Sequence, residues 1–193
     1  MKKLFLIALV FCSFTVYCGD SLRVVTKTST NNVYLVGLKR AKDKNTLYYL
    51  NQEKSPFTGK IIEFDSYGNK SYETSYLNGL QHGQYTIWTT ASKVKYQCTY
   101  CNGKLCGECK EWTTSGDLDK VSNYDSNGEL HGYIVFYRNY NRTDTSTVQY
   151  YVHGKREGKW VWYYSKGNPQ TIEEYKNDER ISYINYNEDG SVK

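Results

Sequence analysis

Four segments of this chain carry the same punctuation: YLNGLQHGQYTIW (Tyr76 to Trp88), YCNGKLCGECKEW (Tyr100 to Trp112), YDSNGELHGYIVFY (Tyr124 to Tyr137) and YVHGKREGKWVWYY (Tyr151 to Tyr164). Superimposed, they share the form Y-x-(N/H)-G-x-x-x-G, with an aromatic residue five positions after the last Gly. The first glycines are Gly79, Gly103, Gly128 and Gly154; the second are Gly83, Gly107, Gly132 and Gly158, spaced 24, 25 and 26 residues apart. PFTGKIIEF extends the series back to Gly59, with Phe64 five residues on, and a degenerate copy follows at Tyr175-Lys176-Asn177. Second turn signals stand between copies, at Tyr67-Gly68-Asn69, Ser115-Gly116-Asp117, Lys166-Gly167-Asn168 and Asp189-Gly190-Ser191. Each unit therefore holds two turns and two short strands, and the chain is expected to be all-β, a meander of antiparallel hairpins.

The pattern has a physical logic. Asn-Gly and His-Gly supply the positive φ angles of a tight turn, and the second Gly is expected where neighbouring backbones close up and a side chain would collide. Tyr76, Tyr100, Tyr124, Tyr151 and Tyr175 should then stack as one column across successive hairpins. Composition agrees: 39% hydrophobic residues is below the roughly 45–50% of globular chains, while 21 Tyr, four Trp and six Phe stand against two Pro and one Met. Such a chain buries aromatic faces one at a time rather than in a thick core. A single repeat would not fold alone, because its stability comes from its neighbours.

The first eighteen residues, MKKLFLIALVFCSFTVYC, have a basic start and an apolar run too short to span a bilayer comfortably. Residues 1–18 are expected to be an export signal. Cleavage after Cys18 by signal peptidase would release a soluble exported chain. Cys18-Gly19-Asp20 resembles the start of a bacterial lipoprotein and makes Cys18 the lipidation candidate, although that signal wants a small residue where Tyr17 stands. An uncleaved anchor is the third route, and all three place the remainder outside the cytoplasm. The net charge of +5 falls to about +3 without Lys2 and Lys3, and there is no basic stripe, so no nucleic-acid partner is expected. Residues 19–56 hold the apolar runs LRVV and NNVYLVGL, expected as strands, and the charged stretch Lys39 to Lys44, expected as a turn or loop. Together they would cap the first hairpin.

From residue 57 to 193, the tyrosine, the glycine pair and the following aromatics resemble the MORN repeat in its shorter bacterial variant. The resemblance implies an elongated, twisted single-layer sheet used mostly to hold partners or to lie against membranes. Relatives of this variant are often labelled antitoxins, which implies an immunity role against an envelope-acting toxin if the chain is exported. Others carry a phosphoinositide kinase label, which nothing here supports. Gly154 to Lys159 has the wrong spacing for a P-loop, and an exported chain lacks ATP.

The chain departs from the repeat at CTYCNGKLCGEC, Cys98 to Cys109. With Cys101 and Cys106 flanking a four-residue turn, opposed positions sum to 207, which pairs Cys101 with Cys106 and Cys98 with Cys109 across the hairpin. Opposed Cα atoms at about 4.5–5.5 Å are within disulfide range. The alternatives are a zinc site of Cys98, Cys101, Cys106 and Cys109, which would need both strands to bend as knuckles, and four unpaired buried thiols.

His82 and His131 precede the second Gly of their units and His153 the first Gly of its own, so all three are read as turn residues. No base stands beside a nucleophile in a recurring pattern, and neither an enzyme nor a cofactor is expected. Trp160 and Trp162 beside Lys155, Arg156 and Lys159 form the densest aromatic and basic cluster, a candidate patch for a protein partner or a membrane surface. The expected function is that of an exported, non-enzymatic scaffold at a bacterial cell envelope, with a peripheral membrane-surface module as the alternative.

Overall fold

The computed structural model of this chain describes residues 17–19, 22–28, 39–40, 48–49, 55–138 and 144–193. Strands β1 (Tyr17–Gly19) and β2 (Leu22–Thr28) pair antiparallel, and β3 (Lys39–Arg40) with β4 (Tyr48–Tyr49) form a separate small pair. Eleven longer strands and one short one follow. They are β5 (Gly59–Phe64), β6 (Lys70–Leu77), β7 (Leu80–Trp88), β8 (Val94–Cys101), β9 (Lys104–Trp112) and β10 (Leu118–Tyr124). Next come β11 (Gly132–Tyr137), β12 (Thr145–Val152), the short β13 (Lys155–Arg156), β14 (Gly158–Tyr163), β15 (Pro169–Lys176) and β16 (Glu179–Asn185). From β5 each pairs antiparallel with its successor, except that β13 and β14 both pair with β12. The chain is all-β, an elongated meander of antiparallel hairpins in one open, twisted single-layer sheet, and among the described residues no helix forms.

The N-terminal segment is partly as expected. LRVV lies in β2, which runs parallel to β5 and so occupies the outer edge of the first hairpin. Lys39–Arg40, read as loop, is instead a short strand paired with Tyr48–Tyr49. NNVYLVGL and residues 1–16 of the expected export signal lie outside the described residues. Cys18 is in β1, opposite Arg23.

Two kinds of turn alternate along the meander. Asn78-Gly79, Asn102-Gly103 and His153-Gly154 have positive φ at both positions (51° and 79°, 51° and 84°, 47° and 76°) and join strands as two-residue loops. Those angles give the twist that a right-handed hairpin needs. The intervening turns are five-residue loops, Asp65–Asn69, Thr89–Lys93, Thr113–Asp117 and Tyr164–Asn168. In each the first N–H donates to the fifth carbonyl at 2.8, 2.7, 2.9 and 2.8 Å respectively. Their fourth residue takes positive φ and is Gly68, Gly116 or Gly167 in three of them but Ser92, at 58°, in the other. An L side chain in that region costs about 1–2 kcal/mol, partly offset by the lower entropy it loses on folding relative to glycine. Ser92→Gly is therefore expected to stabilise the protein by about 0.5–1 kcal/mol, measured as a higher urea midpoint at unchanged slope.

The third repeat breaks the rule of the tight turn. Between Tyr124 and Gly128 it has one residue more than its neighbours, and Asp125–Glu129 closes as a five-residue loop, with the Asp125 N–H on the Glu129 carbonyl at 2.9 Å.

The second glycines sit directly opposite the repeat tyrosines: Gly59 faces Tyr76, Gly83 Tyr100, Gly107 Tyr124, Gly132 Tyr151 and Gly158 Tyr175. The expected steric collision is not the reason for glycine there. A Cβ at Gly83, Gly132 or Gly158 would meet nothing nearer than 3.8, 3.6 or 3.7 Å, and one at Gly107 nothing within 4 Å. Conformation is the reason, since φ is 86°, 68°, 96° and 61° at Gly83, Gly107, Gly132 and Gly158. Beside Gly83 and Gly107 the hairpin register shifts by a bulge whose left-handed residue is that glycine.

Burial collects on one face of the sheet. Two positions past each second glycine stand Ile61, Tyr85, Cys109, Ile134 and Trp160; two before each repeat tyrosine stand Thr74, Cys98, Ser122, Gln149 and Glu173. These columns are opposed rung by rung, Ile61 to Thr74, Tyr85 to Cys98, Cys109 to Ser122, Ile134 to Gln149 and Trp160 to Glu173. All but Tyr85 and Gln149 are buried. The tyrosines flank this face, with Tyr76 and Tyr175 buried and Tyr100, Tyr124 and Tyr151 half-buried. They do not form an uninterrupted stack. Trp160 lies between Tyr151 and Tyr175, at centroid distances of 5.1 and 4.9 Å, and Tyr85 packs on Tyr72, Tyr96 and Tyr100 at 5.4, 5.8 and 5.6 Å.

Candidate functional site

The cysteine cluster occupies a rung of this inner face. Cys98 and Cys109 are joined as a disulfide with Cα atoms 4.3 Å apart, and both are buried. The bond takes the column place that Tyr85 holds in the preceding repeat and Trp160 two repeats on, so a covalent rung stands where those repeats use rings. Cys101 and Cys106 are joined as well, with Cα atoms 5.7 Å apart, but not as opposed residues. The turn is the two-residue Asn102-Gly103, so Cys101 faces Lys104 and Cys106 faces Thr99, and the second bond runs diagonally. The expected sum of 207 holds for Tyr96 with Glu111 and Gln97 with Lys110; nearer the turn the bulge lowers it to 205. With both bonds formed, no thiolate is left for the alternative four-cysteine zinc site.

The candidate patch around Trp160 is not a single free surface. Trp160 is buried, and its indole N–H donates to the Tyr150 carbonyl at 3.1 Å. Arg156 is committed to its neighbours: its backbone N–H meets Asp178 Oδ1 at 2.9 Å, its Nη2 meets the Asp178 carbonyl at 2.8 Å, and its guanidinium stacks 4.4 Å from the Tyr175 ring. Lys159 precedes Trp160 in β14 and projects to the opposite face, away from Trp160 and Trp162. Only Lys155 and Lys159 are exposed, and they share no aromatic platform.

Beneath this cluster lies a buried carboxylate. Glu173 accepts the Tyr175 hydroxyl at 2.5 Å and Arg180 Nη1 at 2.6 Å. Burial alone would raise its pKa; the hydrogen bonds and the guanidinium charges prevail and hold it below the usual glutamate value. Burial also pushes the Tyr72 and Tyr96 hydroxyls up to about 12, so both are neutral donors throughout the physiological range.

At the edge of the sheet that bears the tight turns, successive repeats are laced together. The N–H groups of Gly79, Gly103, Gly154 and Asp178 donate to the carbonyls of Phe57, Gln81, Leu130 and Arg156 in the preceding repeat at 2.8, 2.8, 2.8 and 3.0 Å. The side chain before the second glycine adds a cap. Thr58 Oγ1 accepts the Asn78 N–H at 2.9 Å, His131 Nδ1 the His153 N–H at 3.4 Å, and Glu157 Oε2 the Asn177 N–H at 2.9 Å. His82 holds the equivalent place, and its Nδ1 is buried without a partner among the described residues. Of the three histidines read as turn residues, His153 is one, whereas His131 stands directly before β11 and His82 lies within β7.

Two of them nevertheless come together. The rings of His131 and His153 have centroids 4.7 Å apart, and His153 Nδ1 is 2.7 Å from Asp125 Oδ2. Asp125 uses its other oxygen to accept the Asn127 and Glu129 N–H groups at 2.8 and 3.1 Å. The hydrogen bond from His153, with those from the loop backbone, lowers the Asp125 pKa and keeps it ionised. Donor atoms of Asp125, His131 and His153 all lie within 4.8 Å of one another. Position in the repeat alone did not reveal this meeting. The signals were the extra residue before Gly128 and a histidine where other tight turns have asparagine.

A third feature is apolar. Large hydrophobic side chains exposed among the described residues concentrate on β16 and just beyond it: Ile181, Tyr183 and Ile184 are 57%, 52% and 38% exposed and Val192 66%. Tyr183 faces Glu173 across the sheet, as Trp160 does from the other side, and so continues the inner column. Its hydroxyl accepts from Asn185 Nδ2 at 2.7 Å, and the Arg180 guanidinium lies 5.1 Å from its ring. A scan of protein-family models and a search of curated proteins each found no match to this chain.

Proposed function

We propose that this chain is an exported, non-enzymatic repeat protein of the MORN type that holds a protein partner at a bacterial cell envelope, either as a lipoprotein anchored through Cys18 or as a soluble exported chain. The observation that carries the reading is Tyr183. It stands in the inner column where Trp160 is buried by a ring on each side, yet it is half exposed, and Ile181, at the bulge two residues before it in β16, is exposed as well. A column position already ordered by Asn185 and Arg180 offers an aromatic anchor at small conformational cost, as binding hot spots do. The membrane-surface alternative draws less support, because Arg156 and Trp160 are engaged within the sheet.

A photo-reactive phenylalanine analogue at Tyr183, introduced into the full-length chain in its native cells, is expected to give one discrete protein adduct that Ile181→Glu abolishes. The same analogue at exposed Tyr67 should give none. Equal labelling from both positions, or labelling of lipid alone, would count against the reading.

A further inference from the structure

We infer that Asp125, His131 and His153 form a binding site for a divalent late-transition-metal cation, Zn²⁺ being the representative ion. The inference does not depend on the partner-binding reading. Two imidazoles and a carboxylate are the donor set such ions prefer, with a fourth position left to water or a ligand. Each donor is set by its own element. Asp125 is held in the loop after β10 by two backbone N–H groups on Oδ1, which leaves Oδ2 directed at His153. His131 enters β11 immediately before Gly132, and His153 opens the tight turn after β12.

A hydrogen-bonded Asp–His pair alone would account for Asp125 and His153, but not for a second imidazole whose ring lies 4.7 Å from the first. Nor does the repeat explain it. The tight-turn position is asparagine at Asn78, Asn102 and Asn177, all at φ near 50° like His153, so the turn itself has no need of an imidazole. The carboxylate reaches this point only because the third repeat carries an additional residue before Gly128. Two independent departures from the repeat therefore converge on His131, the capping residue before the second glycine.

Donors separated by up to 4.8 Å must close to roughly 3.3–3.4 Å around a tetrahedral ion with bonds of about 2.0–2.1 Å. The mobile partner is His153, whose side chain is 62% exposed, while Asp125 is only 10% exposed and fixed by its loop. The His131 Nδ1 contact to the His153 N–H, at 3.4 Å, is at the long limit of a hydrogen bond and gives way at little cost. The Glu129 side chain lies over Gly154, next to His153, and adds negative charge at the mouth. The bound ion would tie the third repeat to the fourth at the edge of the sheet.

The test is calorimetric titration of tag-free, fully oxidised protein with ZnCl₂, with histidine ring resonances followed by NMR. Wild type is expected to take up one ion per chain, with shifts at His131 and His153. His153→Asn, which keeps the residue that other repeats use in this turn, and Asp125→Asn, which keeps the loop cap, should each weaken uptake at least tenfold. His82→Gln should leave it unchanged. Absence of saturable uptake by wild type, or equal uptake by wild type and His153→Asn, overturns the assignment.

Discussion

Trp160→Ala is expected to destabilise the chain by about 3–5 kcal/mol, a large share of the roughly 5–15 kcal/mol that holds a typical domain together. The indole is 8% exposed, packed between the Tyr151 and Tyr175 rings and hydrogen-bonded to the Tyr150 carbonyl. Its loss opens a cavity that a single layer has no second sheet to fill. Both tyrosines lose their ring contact, and Arg156, stacked over Trp160 and Tyr175, loses half its platform. Because each repeat leans only on its neighbours, the damage should stay local. Hydrogen exchange should accelerate in β14 to β16 long before it does in β6 to β8. Trp160→Phe keeps most of the packing and forfeits the indole hydrogen bond, and should cost about 1–2 kcal/mol. Urea unfolding followed by circular dichroism measures both, and an alanine variant within 1 kcal/mol of wild type would show that the ring is not the central rung described here.

Removing the inner disulfide should come next in size. Cys98→Ala with Cys109→Ala releases a loop closed across a separation of 11 residues, worth about 3 kcal/mol in chain entropy, and also empties two buried sulfur positions. Cys101→Ala with Cys106→Ala releases a separation of five, worth about 2 kcal/mol, at the partly exposed end of the same hairpin. The ordering is the informative part. The inner bond combines a longer loop with a rung of the buried face, whereas the outer one reinforces a turn that Asn102-Gly103 already specifies. Thermal or urea unfolding of the two double variants decides it, and a larger loss from the outer pair would contradict the place given to Cys109 in the column.

The hairpin order was legible in the sequence because Asn-Gly pairs and period-two aromatics act locally, and both the tyrosine positions and the cysteine partners follow from them. What local pattern could not show was register. A bulge at the second glycine, as at Gly83 and Gly107, moves the pairing by two residues, which made Cys101 and Cys106 diagonal rather than opposed. Lys155, Arg156, Lys159, Trp160 and Trp162 are close in sequence but divide between the faces of β14 and a committed ion pair, an outcome that alternation predicts only once the strand is known to run unbroken from Gly158 to Tyr163. Asp125, by contrast, is 28 residues from His153, and their meeting depends on the stacking of whole repeats.

The caps along the tight-turn edge give the array a direction. Thr58, His131 and Glu157 each carry the acceptor for a turn that belongs to the following unit, and none of them serves its own. The units are therefore not interchangeable tiles. A repeat copied or excised whole would separate an acceptor from the donor for which it was selected, so the chain's ancestry should show drift within repeats more readily than shuffling of them.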